Sequence, residues 1–168
     1  LRMESIYLLM LVALTALAVI DLVVGVSNDA VNFLNSAIGS KAVSLKTIMI
    51  VASFGIFIGA VFSSGMMEVA RKGIFVPSEF YFDEIMIIFM AVMITDILLL
   101  DFFNTLGMPT STTVSIVFEL LGAAVAMALI KISADGESIS ELSKYINTKK
   151  ATEIILGILL SVVVAFSI

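Results

Sequence analysis

The chain has 168 residues, 61% of them hydrophobic and 14% charged, with a formal net charge of -5 and a mean hydropathy of +1.19. A soluble domain of this length has too little interior to hide that much apolar surface, so the composition excludes soluble classes and points to a multi-pass helical membrane protein. The absence of Cys and His excludes disulfide scaffolds, thiol chemistry, His-ligated metals and His-based catalytic triads, and no basic patch points to nucleic acid.

Five apolar segments, 5–26, 47–67, 85–106, 112–132 and 151–168, are each about long enough to cross ~30 Å of hydrocarbon at ~1.5 Å per residue. The runs are continuous rather than alternating, which predicts helices and not barrel strands. The first is too long for the apolar core of a signal peptide and has no small-x-small cleavage site, so it reads as a span. Because the chain starts at Leu1 and stops at Ile168 within an apolar run, a piece of a longer protein is expected.

At the end of the first segment stands GVSNDAVNFLNSAIGS, from Gly25. Asp21, Gly25, Asn28, Asn32, Asn35 and Gly39 recur at three- and four-residue spacing, with Asp29 and Ser36 beside the line, so a helix would carry them as one stripe. Asn and Gly also leave helices readily, which makes 25–28 a candidate unwound turn. Either way oxygen atoms converge from the Asp29 carboxylate and the Asn28 and Asn32 carboxamides, a ligand set suited to a hard cation such as Na+. A single Asn would be explained by interhelical hydrogen bonding. An Asp among several Asn at membrane depth points instead to a site. Asp21 either supports that site, pairs elsewhere or lies near an interface.

The second segment carries Ala52, Gly55, Gly59 and Ser63, a small-residue face that predicts close helix packing. Residues 68–84, with Arg71, Lys72 and Pro77, read as a solvated connection. In the third segment Asp96 and Asp101 lie about 140° apart on a helix and cannot share a face. Asp101 groups with Asn104 and Thr105 and is the better site candidate of the two.

Gly107 and Pro109 then interrupt the apolar sequence, and Thr110, Ser111, Thr112 and Thr113 follow. A helix is expected to begin here, because Pro favours the first turn and Ser/Thr favour caps. Its first N–H groups lack intrahelical partners and sit at the positive end of the helix dipole, so together with four hydroxyls they form an anion cradle that needs no Lys or Arg. The alternative is that the hydroxyls bond back to the preceding turn. Further along, Glu119 shares a face with Thr112 and Ser115 and is expected against protein or water, as a coupling carboxylate or a partner for another charge. Residues 133–150 read as a flexible loop. With five full spans, Arg2, Arg71, Lys72, Lys131, Lys144, Lys149 and Lys150 fall on one side and Lys41 and Lys46 on the other. That favours a cytoplasmic N-terminus unless a segment is re-entrant, so orientation stays open.

An anion cradle close to a carboxylate is electrostatically unfavourable, by about 4 kcal/mol at ~4 Å in a medium of effective dielectric 20. A cation bound beside Asp29 would reverse the sign, so cation and anion would each favour the other, which is the physical basis of symport.

The motif GVSNDAVNFLNSAIGSK resembles the signature of the inorganic phosphate transporter (PiT) family, whose core is Gly-x-Asn-Asp-x-x-Asn followed by Gly-Ser. GMPTSTTVS resembles its Pro-x-Ser-Thr-Thr segment. The resemblance runs from Gly25 to about Ala128. It implies an all-α, polytopic transmembrane bundle with discontinuous or re-entrant helices, forming the first of two inverted repeats, with the second repeat outside this chain. It also implies Na+- or H+-driven symport of inorganic phosphate across the cell membrane, with no resident cofactor. Carried over by position, Asn28, Asp29 and Asn32 would hold the cation and Thr110, Ser111, Thr112 and Thr113 the phosphate. Asp21, Ser27, Asp101, Asn104 and Glu119 would stand in support. Val114 departs from the His common after the two threonines, and Val26-Ser27 replace a commoner Ala; Ser27 adds a hydroxyl. Some relatives carry sulfate, so another oxyanion is the alternative. Phosphate can donate a hydrogen bond at neutral pH, and Asp101 or Glu119 could accept it. An ion channel would need a continuous polar lining, whereas polarity here clusters at two places. A second copy, as a homo-oligomer, is a further expected partner besides the lipid bilayer.

Overall fold

The computed structural model describes residues 2–64, 68, 73–108 and 110–168, which are helical almost throughout. Arg71, Lys72, Pro109 and residues 65–67 of the expected second span lie outside the described residues. The long helices are α1 (Arg2–Ser40), α2 (Leu45–Val61), α3 (Phe82–Leu106), α4 (Thr112–Asp135) and α5 (Thr148–Ser167). Among the described residues, four helical stretches are long and apolar enough to cross a membrane: Glu4–Ser40, Phe82–Leu106, Thr112–Asp135 and Thr148–Ser167. The shorter α2 has 17 residues.

The arrangement of α1, α3 and α4 follows from their contacts. Tyr7 meets Phe82 edge-on at 5.6 Å, Gly25 faces Leu100, and Asn28 bonds Asn104. The partner on α3 is therefore always 75 or 76 positions ahead, so the two helices run parallel and in register. Beyond a turn that begins at Gly107, α4 runs back antiparallel along α3, bringing Ile88 near the start of α3 into the same apolar cluster as Ile132 near the end of α4. Buried positions recur every four residues, as Ile88, Val92, Asp96 and Leu100 on α3 and Leu120, Ala124, Ala128 and Ile132 on α4. One stripe of each helix is thus covered while the rest faces outward.

The hairpin turn has clear causes. Gly107 adopts φ 67°, a left-handed conformation that glycine takes without Cβ strain, and Met108 N–H closes the last turn on the Phe103 carbonyl at 3.0 Å. Ser111 then caps α4, its hydroxyl accepting from Val114 N–H at 3.4 Å.

Two sequence expectations are corrected. The proposed unwound turn at 25–28 is helical, and α1 continues for 39 residues, about 58 Å, past the expected boundary at 26. The reason is tertiary. The poor helix formers Asn28 and Asp29 find partners on α3, the hairpin turn and α4, so no backbone group needs to leave the ladder to satisfy them. The loops are not solvated strands of chain either. Ile74, Phe75, Tyr145 and Ile146 are buried, Val76 N–H bonds the Tyr145 carbonyl and Asn147 N–H the Ile74 carbonyl, both at 2.9 Å. Phe80 packs edge-on against Phe75 and Tyr145. The two connections close the base of the α3–α4 hairpin, since burying four large apolar side chains outweighs the loss of loop freedom. Lys131 is pinned there by Glu84 at 2.8 Å and lies over the Tyr81 ring at 4.3 Å.

Packing against α2 and α5 is sparser. A Cβ built at Gly55 or Gly59 would meet nothing within 4 Å, so the small-residue face of α2 is unpartnered among the described residues.

Candidate functional site

The two polar motifs, some eighty residues apart in sequence, meet where α1 passes the hairpin turn. Asn28, 1% exposed, donates from Nδ2 to Asn104 Oδ1 at 2.9 Å and accepts at Oδ1 from Thr110 N–H at 3.4 Å. Its carboxamide thus ties the end of α3 to the turn before α4. The next residue, Asp29, is half-buried, and its two carboxylate oxygens lie 3.2 and 3.0 Å from the hydroxyl of Thr112, which donates to them. A charge-assisted bond of this kind is among the stronger side-chain contacts. A small cavity of about 90 Å³ adjoins these groups, lined by Asn28, Val31, Asn104, Gly107 and Met108.

The helix start beside Asp29 is built as the sequence suggests. The first intrahelical bond of α4 runs from Ser115 N–H to the Ser111 carbonyl at 3.0 Å. The N–H groups of Thr112 and Thr113 therefore precede it, at the positive end of the dipole. Ser111 and Thr113 are exposed and Thr110 is half-buried.

The other nominated residues are placed as follows. Asn32 is exposed, one turn above Asn28. Ser27 is exposed and its hydroxyl bonds back to the Val23 carbonyl at 2.7 Å, the helix-internal arrangement open to any serine. Asp101 is exposed on α3, while Asn104 on the same helix joins Asn28. Asp21 and Glu119 belong to a different group, two turns below. There Asp96, 2% exposed, stands 75 positions ahead of Asp21, the offset at which α1 and α3 pair, and Glu119 accepts from the hydroxyl of the buried Ser115 at 2.7 Å.

Sequence reasoning preferred Asp101 to Asp96 because Asp101 neighbours the turn. The signal it passed over was the four-residue repeat Ile88, Val92, Asp96, Leu100, which puts Asp96 on the buried stripe of α3 and turns Asp101 outward.

A family model described as the phosphate transporter family matches residues 25–168. The chain belongs to the phosphate transporter family. A protein of Thermococcus kodakarensis named as a phosphate permease is 30% identical over 141 residues, covering 82% of this chain and 31% of that protein. One from Pyrococcus abyssi with the same kind of name is 30% identical over 122 residues, covering 71% and 30%. A phosphate permease by name from Helicobacter pylori is 32% identical over 104 residues, covering 61% and 20%. The chain thus spans less than a third of the length of these curated relatives. No solved structure matches it. Membership and the four crossing-length helices make this a multi-pass membrane protein of a transporter family. That agrees with the reading of the two motifs, one of which opens the matched region at Gly25.

Proposed function

We propose that the protein to which these helices belong carries inorganic phosphate across the cell membrane together with a cation, Na+ in the first instance. The carboxamides of Asn28 and Asn32 and the Asp29 carboxylate serve the cation, and the α4 N-terminus with Thr110, Ser111, Thr112 and Thr113 serves the anion. The observation that carries this reading is the contact between Asp29 and Thr112, 3.0 Å from carboxylate oxygen to hydroxyl. The same turn presents N–H groups and hydroxyls to an anion and touches the carboxylate that would repel it. A cation against Asp29 removes that repulsion and frees the Thr112 hydroxyl for the anion, so loading one ion favours the other.

Phosphate is favoured over sulfate because it retains a proton to donate at neutral pH. The acceptor beside the cradle is Asp29 rather than Asp101, which is exposed, or Glu119, which is engaged two turns away. The relatives named as phosphate permeases point the same way.

The test is uptake of labelled phosphate into vesicles holding the complete protein, with an inward Na+ gradient, with a proton gradient, and with neither. The expected result is uptake that follows the Na+ gradient, resists excess sulfate and is lost in Asp29→Asn. Gradient-independent flux would overturn the coupling, and equal competition by sulfate would overturn the choice of anion.

A further inference from the structure

Three acidic side chains from three different helices face one another in the seam below the Asp29 site. Asp21 comes from α1, Asp96 from α3 and Glu119 from α4. Asp96 stands 75 positions ahead of Asp21, the offset at which α1 and α3 pair, and is 2% exposed, while Glu119 sits one turn beyond the buried Ser115 of α4. One buried oxygen on each, Asp21 Oδ1, Asp96 Oδ1 and Glu119 Oε2, has no hydrogen-bond donor among the described residues. The one donor recorded to the group, the Ser115 hydroxyl, is taken by Glu119 Oε1. The ion pairs described, Lys131–Glu84, Lys144–Glu79 and Lys150–Glu153, all lie outside this group, so no Lys or Arg described here neutralises it. Of the other carboxylates on these helices, Asp29 bonds Thr112 two turns above, and Asp101 is exposed on the outer side of α3.

An ionised carboxylate only accepts hydrogen bonds. Carboxyl groups whose buried oxygens find no donor and that converge in one seam are therefore best satisfied by a shared proton or cation, because neighbouring like charges disfavour full ionisation. A metal ion is the poorer candidate. No group of three or more His, Cys, Asp or Glu side chains among the described residues is arranged to hold one, whereas a proton needs only pairwise contacts.

We propose that Asp21, Asp96 and Glu119 form a proton-binding site, separate from the Asp29 site, that holds at least one proton between Asp96 and its neighbours at neutral pH. Asp96 is the hub, since it is the most deeply buried of the three and lies on the middle helix. The site lies about 12 Å along α1 from Asp29, eight residues at ~1.5 Å each. It is built from the same three helices, so loss of its proton sets carboxylates against each other within the bundle that supports the Asp29–Thr112 contact.

The experiment is infrared difference spectroscopy of the purified protein in lipid nanodiscs at pH 7, in choline chloride. We expect a carbonyl band of protonated carboxyl that is lost in Asp96→Asn and shifted or diminished in Asp21→Asn and in Glu119→Gln, but persists in Asp29→Asn. Should Asp96→Asn fail to fold, the other two variants carry the test. Absence of the band at pH 7, a band indifferent to every foldable variant of the three, or its removal when Na+ replaces choline at fixed pH would each overturn the proposal, the last by marking a metal-ion site. The readout does not depend on transport, so its failure and that of the uptake test are distinguishable.

Discussion

The two ends of the α3–α4 hairpin are built on opposite principles. At the base, Ile74, Phe75, Phe80, Tyr145 and Ile146 close an apolar cluster, and the charged Lys131 is paired with Glu84. At the turn, the contacts to α1 are polar, and the Asn28, Asp29, Asn104 and Thr112 side chains satisfy one another across three helices. The base needs no ligand to be complete. The turn end juxtaposes a carboxylate, a helix N-terminus and a cavity, the arrangement to which the proposed function assigns ion binding. The large apolar burial is therefore concentrated at one end and the polar contacts between motifs at the other.

The largest test of this division is Phe75→Ala at the base, which should lower stability by about 3–5 kcal/mol, the usual effect of emptying an aromatic core position. It should be read as a lower thermal midpoint in detergent, with the ion dependence of the folded fraction unchanged. A variant that altered ion dependence instead would break the comparison. At the turn end, Asn28→Ala removes a buried carboxamide that both donates and accepts, leaving Asn104 Oδ1 and Thr110 N–H unpaired; about 1–3 kcal/mol is expected. Restoring one bond with Asn28→Ser should recover part of it. Gly107→Ala forces a Cβ into the left-handed region and should cost about 1–2 kcal/mol by the same thermal assay, with no steric component, since open space surrounds that position. The smallest effect belongs to Lys144. The Glu79 carboxylate, 3.6 Å away, holds the exposed ammonium above its usual lysine value. Its contribution is thus complete at neutral pH and fades only as pH rises through that raised value. Lys144→Gln should lower the neutral midpoint by a small amount, a difference that closes as pH rises along the alkaline limb of a stability–pH profile.

Much of this was legible in the sequence. Hydropathy alone gives the helices, and the Asn-Asp stripe and the Thr-Ser-Thr-Thr turn were identifiable as partners from their chemistry. What was hidden depends on distant contacts. The continuity of α1 through Gly25 and Asn28 rests on acceptors and donors 76 and 82 residues away, which no local propensity reports. The loops looked polar because their charges outnumber the few apolar side chains that fold inward, and Phe75 and Tyr145 reveal their role only when the hairpin brings them together. Asp96 was passed over because proximity to the break was weighed above its place on an apolar four-residue repeat.

The constant offset between α1 and α3 has a mechanical consequence. A slip of one residue would turn α1 by about 100° and shift it about 1.5 Å, and would undo the Tyr7–Phe82, Gly25–Leu100 and Asn28–Asn104 pairings at once. Such a ratchet has no half-way stop, so α1 and the hairpin travel as one rigid piece. Motion within the described helices then falls to the sparsely packed α2 and α5.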